Sequence, residues 1–389
     1  MNSAESGLHQ LFKAQATATP NTPAIAFGAE QTSYAQLDQA TDALGAYLRR
    51  CGVLTDDPVG IYMETCPEYI AATIGTLKAG AAFMPVALDL PDSLLGALVS
   101  ESQPKVVITK ARHLPRLSRF TGPRLLAVDS DQSWREFDPP SDEIRVDTGN
   151  LAFIPYTSGT TGQPKGVMQT SGALISSYLA RYRFSSYNVG DRVACNIFFP
   201  WEFLRPLLKG GTVYVIPDDA VFVPRALTGF IAKHQITEVL FTPSLLQGIL
   251  NSASPERLRA RLSSLRVVWL NGEVVPTSLL KLVLDVLPKS TRVFNTYSIS
   301  EAHDVCSIEL TDLSLGGRDA CPVGYAMDGV TLRVLPEGQS DLASSGVGRA
   351  LDWRSRTGPR LSEEARPGFR EVRQMGRREV LLHRRPSRG

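Results

Sequence analysis

Apolar residues recur at helical spacing along Leu8-His-Gln-Leu-Phe-Lys-Ala-Gln-Ala16, which the Thr19-Pro20 and Thr22-Pro23 pairs bring to an end. A short strand, Ala24–Phe27, and a second helix, Tyr34 to Leu48, follow. The alternation continues with a strand at Val59–Met63, a helix from Glu68 to Lys78, and strands at Ala82–Val86 and Val106–Thr109. Further strands are predicted at Ala152–Ile154, Thr212–Ile216, Glu238–Phe241 and Arg266–Leu270, with helices at Pro224–His234, Ser244–Leu250 and Ser278–Leu287. Short, continuously apolar strands between helices predict an α/β fold whose mostly parallel sheet is covered on both faces.

Bulk composition narrows this picture only a little. A chain of 389 residues, 43% hydrophobic and 21% charged, is ordinary for a globular protein with a sizeable core. Its 41 Lys plus Arg nearly cancel its 39 Asp plus Glu, so no general field draws it to nucleic acid or to a membrane surface. The five cysteines are scattered and form no CxxC pair, which predicts free thiols in a reducing compartment. With no basic, apolar leader and no membrane-length apolar run, the expected location is cytoplasmic.

The chemistry is concentrated in Tyr156-Thr-Ser-Gly-Thr-Thr-Gly-Gln-Pro-Lys165-Gly, directly after a predicted strand. Gly159 and Gly162 let backbone N–H groups approach phosphate oxygens, the hydroxyls of Thr157, Ser158, Thr160 and Thr161 add neutral donors, and Lys165 adds a positive charge. A Walker A loop would need Gly immediately before the Lys and Ser or Thr after it. Here Pro164 and Gly166 stand there.

The whole string resembles the signature loop of the adenylate-forming superfamily of acyl-CoA synthetases, luciferases and peptide-synthetase adenylation domains. Leu8–Ala16 with Thr19-Pro20, Ser33–Leu37, Leu77–Val86, Trp201–Gly211, Asn271-Gly-Glu273 and Asn295–Glu301 are similar to further motifs of that family, in order, across residues 8 to 339. The resemblance is closest to peptide-synthetase-like domains. It implies the large N-terminal domain of these enzymes, with stacked, mostly parallel sheets flanked by helices and an incomplete β-barrel subdomain.

It also implies ATP and Mg²⁺ as cofactors and a reaction between a carboxylate and the α-phosphorus of ATP. The loop residues Thr157, Ser158, Gly159, Thr160, Thr161, Gly162 and Lys165 would hold the phosphates, Ser300 the α-phosphate and Glu301 the metal. Lys165, Ser300 and Glu301 are thus the catalytic candidates. Asn271, Gly272, Glu273, Asn295, Thr296 and Tyr297 would line the adenine pocket. The implied partners are a small carboxylic acid and a thiol, from CoA or a carrier-protein phosphopantetheine, without nucleic acid or membrane.

Aligned on Trp201-Glu202, the Asp with which amino-acid-specific members grip an α-amino group is replaced by Ile197. The same alignment places Phe198, Trp201, Leu240, Trp269, Asn271, Thr296, Asp304 and Val305 around the acid. Three aromatics and a carboxylate could cage a cation, implying a betaine-like or ω-amino acid. The alternative is an ordinary aromatic core beside a solvated Asp304, which would suit an aromatic or branched acid. His303 is expected to be a supporting or surface residue with no catalytic role.

Residues 340–389 contain twelve Arg and no Lys, a composition that favours a disordered tail with a short strand at Glu379–Leu382. No ribose-binding Asp motif and no catalytic Lys of a small C-terminal domain is recognisable there. Two readings stand: an acid-activating ligase, and a non-catalytic nucleotide- or acyl-binding remnant.

Overall fold

Side-chain alternation along the strands sets the layers. Val193, Cys195, Val213 and Val215 face one core, while Ala194 and Tyr214 between them face another. The computed structural model that shows this describes residues 7–137, 144, 146–158, 164–196, 200–335 and 378–383. The chain forms two stacked sheets with helices between and outside them, as the resemblance implies, and the strands are mostly parallel, as the apolar pattern predicts.

The larger sheet has nine strands in the spatial order Tyr325–Ala326, His303–Glu309, Arg292–Ile299, Val267–Asn271, Glu238–Phe241, Arg192–Cys195, Thr212–Val215, Pro23–Phe27 and Glu30–Ser33. Its six central strands pair in parallel, and antiparallel strands close both edges. The smaller sheet has six strands in the order Gln169–Thr170, Leu151–Phe153, Ala82–Pro85, Pro58–Tyr62, Val106–Thr109 and Arg124–Ala127, parallel except for its first pair. Among the described residues there is no closed barrel.

Between the sheets lies the main core. It receives Val59, Ile61 and Phe83 from the smaller sheet, Ile25, Val193 and Val213 from the larger, and the helices Leu8–Ala18, Tyr34–Arg50, Pro67–Lys78 and Ser171–Phe184. A second core covers the outer face of the nine-stranded sheet with the helices Pro224–His234, Pro243–Leu250, Pro255–Arg261 and Thr277–Val286. Local sequence places the helix boundaries. At Tyr34–Arg50, for instance, the Ser33 hydroxyl accepts from the Gln36 N–H at 3.2 Å, and the Gln36 side chain accepts from the Ser33 N–H at 2.8 Å.

Elements additional to those the pattern predicts include the helices Asp92–Ser102, Ser171–Phe184 and Pro255–Arg261 and the strands Glu30–Ser33, Arg124–Ala127, Arg192–Cys195, Arg292–Ile299 and His303–Glu309. Within the Arg-rich tail, the strand Arg378–His383 contains the predicted Glu379–Leu382 and pairs in parallel with Val330–Leu335. The remainder of the tail lies outside the described residues, as does its expected disorder. All five cysteines are free thiols. Among the described residues, no helix is long and apolar enough to cross a membrane.

Candidate functional site

The glycine-rich loop begins from a two-stranded hairpin, Tyr156–Ser158 against Pro164–Gly166, in which Thr157 is paired with Lys165. Gly159, Thr160, Thr161 and Gly162 lie outside the described residues, as do the side chains of Thr157 and Ser158. Lys165 is half-buried at the hairpin's return strand. That strand leads to Gln169, 2% exposed, whose side-chain Nε2 donates to the backbone carbonyl of Ser300. One buried amide therefore ties the loop's exit to the turn that carries Ser300 and Glu301.

The remaining candidates stand where the parallel strands of the larger sheet end, the position at which open α/β sheets bind ligands. Register places Leu240, Trp269 and Phe294 in one row across three strands. Asn271, Thr296 and Ser307 form the next row outward. Ser298 donates its hydroxyl to Asn271 Oδ1 at 2.9 Å, and the Thr296 and Ser307 hydroxyls are 3.0 Å apart. Asn271 and Thr296, both buried, thus form a polar ledge.

Other residues expected beside the adenine hold the surrounding framework. Asn295 alternates with Thr296 on the strand and donates Nδ2 to the Pro322 carbonyl at 2.8 Å, securing the Pro322–Tyr325 loop. Gly324 in that loop has φ +87°, and a Cβ there would collide with the Ser307 carbonyl. Glu273 caps the helix Pro243–Leu250, accepting from Ser244 Oγ at 2.7 Å and Ser244 N at 3.0 Å. Gly272 beside it is exposed, with φ +91°. Tyr297 is half-buried and packs against the small cluster of Ala302, Val305 and Cys306.

Several residues expected around the acid belong to a buried charge cluster. Asp304 is fully buried, not solvated: Arg181 NH1 donates to its Oδ2 at 2.8 Å, and Arg205 NH1 lies 3.7 Å away. Arg205 also pairs with Glu202, and Arg181 NH2 is 4.0 Å from the same carboxylate. The Arg181 guanidinium carbon sits 3.7 Å from the Trp269 ring centroid, while Trp269 stacks on Phe294 at 4.3 Å. Trp269 Nε1 donates to Glu238 at 2.8 Å, and Tyr187 donates its hydroxyl to the same oxygen at 2.5 Å. Burial raises the pKa of Glu238, against those two hydrogen bonds that favour its charged form.

A cavity opens beside this cluster, lined by Trp269, Leu240, Glu202, Glu238, Asn196 and Phe222 among others. Ile197 and Phe198, expected around the acid, lie outside the described residues. Trp201 is half-buried and meets the His303 ring edge-on at 5.3 Å. His303 itself is buried rather than at the surface. It has φ +60°, and its Nδ1 is 3.1 Å from the Ser177 hydroxyl.

Gln169, Ser177, Arg181 and Arg205 thus contact candidate site residues or their immediate neighbours, although motif spacing did not single them out. The Arg205–Glu202 pair was open to view as an i,i+3 charge pair inside Trp201–Gly211. Arg181 gave no such signal, because its partners Glu202, Trp269 and Asp304 all lie far beyond one helical turn from it in sequence.

Glu301 is exposed beside the anchored Ser300 carbonyl, and no group of three or more metal-binding side chains occurs among the described residues. That donor set fits Mg²⁺, which commonly takes one or two protein carboxylates and completes its shell with phosphate and water.

The family model described as AMP-binding enzyme matches residues 12–349. Among curated proteins, the chain is 36% identical over 348 residues to the glycine betaine reductase ATRR of Emericella nidulans, covering 88% of this chain and 27% of that protein. It is 31% identical over 350 residues to syringomycin synthase SyrB1 of Pseudomonas syringae pv. syringae, covering 88% and 56%. The chain thus spans about a quarter and about half of these two relatives. The fold is shared with solved structures such as VinN in complex with L-aspartate, at TM-score 0.74, 21% identity and 84% of each chain. It is shared also with the AMPPNP-bound peptide synthetase FmoA3, at TM-score 0.73, 23% identity, and 84% and 36% of the two chains.

Proposed function

The chain belongs to the AMP-binding enzyme family, and on that basis we propose that it activates a small carboxylic acid lacking a free α-amino group. An acid oxygen attacks the α-phosphorus of ATP, a C–O–P linkage forms, and pyrophosphate leaves with the electron pair of the broken P–O bond. The acyl group then passes to the thiol of CoA or of carrier-protein phosphopantetheine, releasing AMP. In this reading residues 1–339 form the AMP-binding large domain and 340–389 an atypical tail.

Two like-charged reactants must meet, so the site has to stabilise negative charge where it develops. Lys165 and the loop hydroxyls would hold the outer phosphates, and Ser300 would donate to the α-phosphate. Glu301 would hold Mg²⁺, which when bound neutralises phosphate charge. Asn271, Thr296 and Tyr297 would receive the adenine. Gln169 fixes the Ser300–Glu301 turn relative to the phosphate loop.

The observation that carries the substrate reading is the state of the pocket's acids. Glu202 is paired with Arg205, Asp304 with Arg181, and Glu238 with Tyr187 and Trp269. A primary ammonium seeks a carboxylate acceptor. A quaternary ammonium donates no hydrogen bond and needs only a balanced environment and an aromatic face, which would come from a ring other than Trp269, already covered by Arg181 and Phe294. The replacement of the amino-gripping Asp by Ile197 points the same way, as does the name of the 36%-identical relative, a glycine betaine reductase. A betaine-like acid is therefore favoured over an ω-amino acid.

ATP–pyrophosphate exchange driven by a panel of acids tests this. Glycine betaine should drive exchange, while glycine and β-alanine should not. Exchange with α-amino acids alone would refute the substrate reading. Nucleotide binding without exchange for any acid would instead support a non-catalytic remnant.

A further inference from the structure

We propose that Arg181 is a specificity-determining residue, which sets the charge of the acyl pocket from behind its wall. The inference deepens the betaine-like reading and rests on it. Arg181 is 0% exposed and stands on the helix Ser171–Phe184. It touches two residues that line the cavity, with its guanidinium carbon 3.7 Å from the Trp269 ring centroid and NH2 4.0 Å from Glu202 Oε2. Its NH1 holds Asp304 at 2.8 Å. The face of Trp269 toward Arg181 is thus already covered by a cation, and one carboxylate beside it is already paired.

Charge accounting gives the consequence. Arg181 and Arg205 oppose Asp304 and Glu202, so these four groups are balanced, and burial disfavours the charged form of the third acid, Glu238. Burial lowers the Arg181 pKa to about 10, with Arg205 as the next cause, which leaves the guanidinium charged at neutral pH. Removing this one positive charge leaves the wall negative. At the low effective dielectric of a buried site, a unit charge several ångströms from a substrate cation alters its binding roughly tenfold or more. A neutral acid of the same shape is indifferent to that change.

Ser177, one helical turn before Arg181, reaches His303, while Arg181 reaches Asp304. The same helix face therefore grips consecutive residues just beyond Ser300 and Glu301. A purely structural role for Arg181 would move stability and overall activity. It would not alter the preference between two acids of identical shape.

The test compares glycine betaine with 3,3-dimethylbutanoate, which has carbon in place of the quaternary nitrogen, by kcat/KM in pyrophosphate exchange on the full chain. Arg181→Met should raise the betaine-to-isostere ratio roughly tenfold or more, with the KM for ATP within about threefold of wild type. Arg181→Gln, whose amide can still donate to Asp304, is a second neutral variant and should raise it as well. Arg181→Met combined with Asp304→Asn restores the balance and should return the ratio to within about threefold of wild type. An unchanged ratio in the neutral variants overturns the assignment. So does failure of both neutral variants to bind ATP, which marks Arg181 as purely structural. If wild type activates a different acid, the betaine reading alone fails, and the same ratio is measured for that acid and its isostere differing by one charge. Exchange with no acid overturns both.

Discussion

Replacing Gln169 by Leu removes a single donor while keeping the size of a buried side chain. The residue is 2% exposed and donates to the Ser300 carbonyl. It lies on the short strand that follows the phosphate hairpin, opposite Phe153. Such a hydrogen bond is worth about 1 kcal/mol net, and a stranded buried carbonyl costs about 1–3 kcal/mol. If the bond serves to hold the Ser300–Glu301 turn, its loss appears as misplacement of that turn during reaction. At 1.4 kcal/mol per factor of ten, kcat should fall about tenfold. The KM for the acid should change little, because the acyl pocket is built from other strands. Pyrophosphate exchange, measured at saturating acid with Mg²⁺ varied, reads both quantities, and an increased Mg²⁺ requirement is expected as well. A lower melting temperature with unchanged kcat and Mg²⁺ dependence would refute the argument, leaving Gln169 as a stabilising contact only.

Three other predictions follow from the charges and the pocket. His9 is buried, and burial lowers its pKa from 6.5 to about 4, with Lys78 adding to the shift. The folded state resists protonation there, so stability is present above pH 6.5 and falls as pH drops toward 4, by up to ~3 kcal/mol. Urea unfolding of His9→Leu should show a flatter pH profile across that window, and an unchanged slope would count against it. Glu64 behaves in the manner of a paired acid. Burial raises its pKa, but Arg112, His113 and Lys110 outweigh that and bring it from 4.5 to about 2. Its stabilisation is present above pH 4.5 and is lost as pH falls toward 2, so Glu64→Gln should be less stable than wild type at pH 7 and nearly equal to it at pH 2. Finally, Ile197→Asp should introduce measurable exchange with glycine and reduce exchange with glycine betaine, as read from the ratio of their kcat/KM values.

Many of the sheet strands and most of the longer helices could be read from the sequence because their signals are local, whereas the apolar pattern does not predict Arg192–Cys195, Arg292–Ile299 or His303–Glu309. Val106–Thr109 and Glu238–Phe241 are unbroken apolar-rich runs, and Pro224–His234 begins at its Pro. The helix Ser171–Phe184 escaped because it is buried on several sides. Ser171, Ala173, Leu174, Ile175, Ser177, Tyr178, Ala180 and Arg181 are all buried, so no single apolar stripe marks it. The motif residues Asn271 and Thr296 do meet on adjacent strands, which their order in sequence could suggest only through the resemblance. What the sequence could not show is which side chains were already engaged. Asp304 reads as a free carboxylate beside aromatics until Arg181, 123 residues earlier, is seen to hold it. Asn295 and Glu273, expected at the adenine pocket, also bond to Pro322 and Ser244, partners that the sequence did not reveal.

The central claim is that this chain forms an acyl-adenylate from an acid without a free α-amino group. Trapping with hydroxylamine tests it directly, by incubating the full chain with ATP, Mg²⁺ and glycine betaine and measuring hydroxamate, AMP and pyrophosphate together. The account predicts all three in equal amounts, dependent on the acid, and none above background with glycine. Acid-independent AMP release, or hydroxamate from glycine but not from glycine betaine, would contradict it.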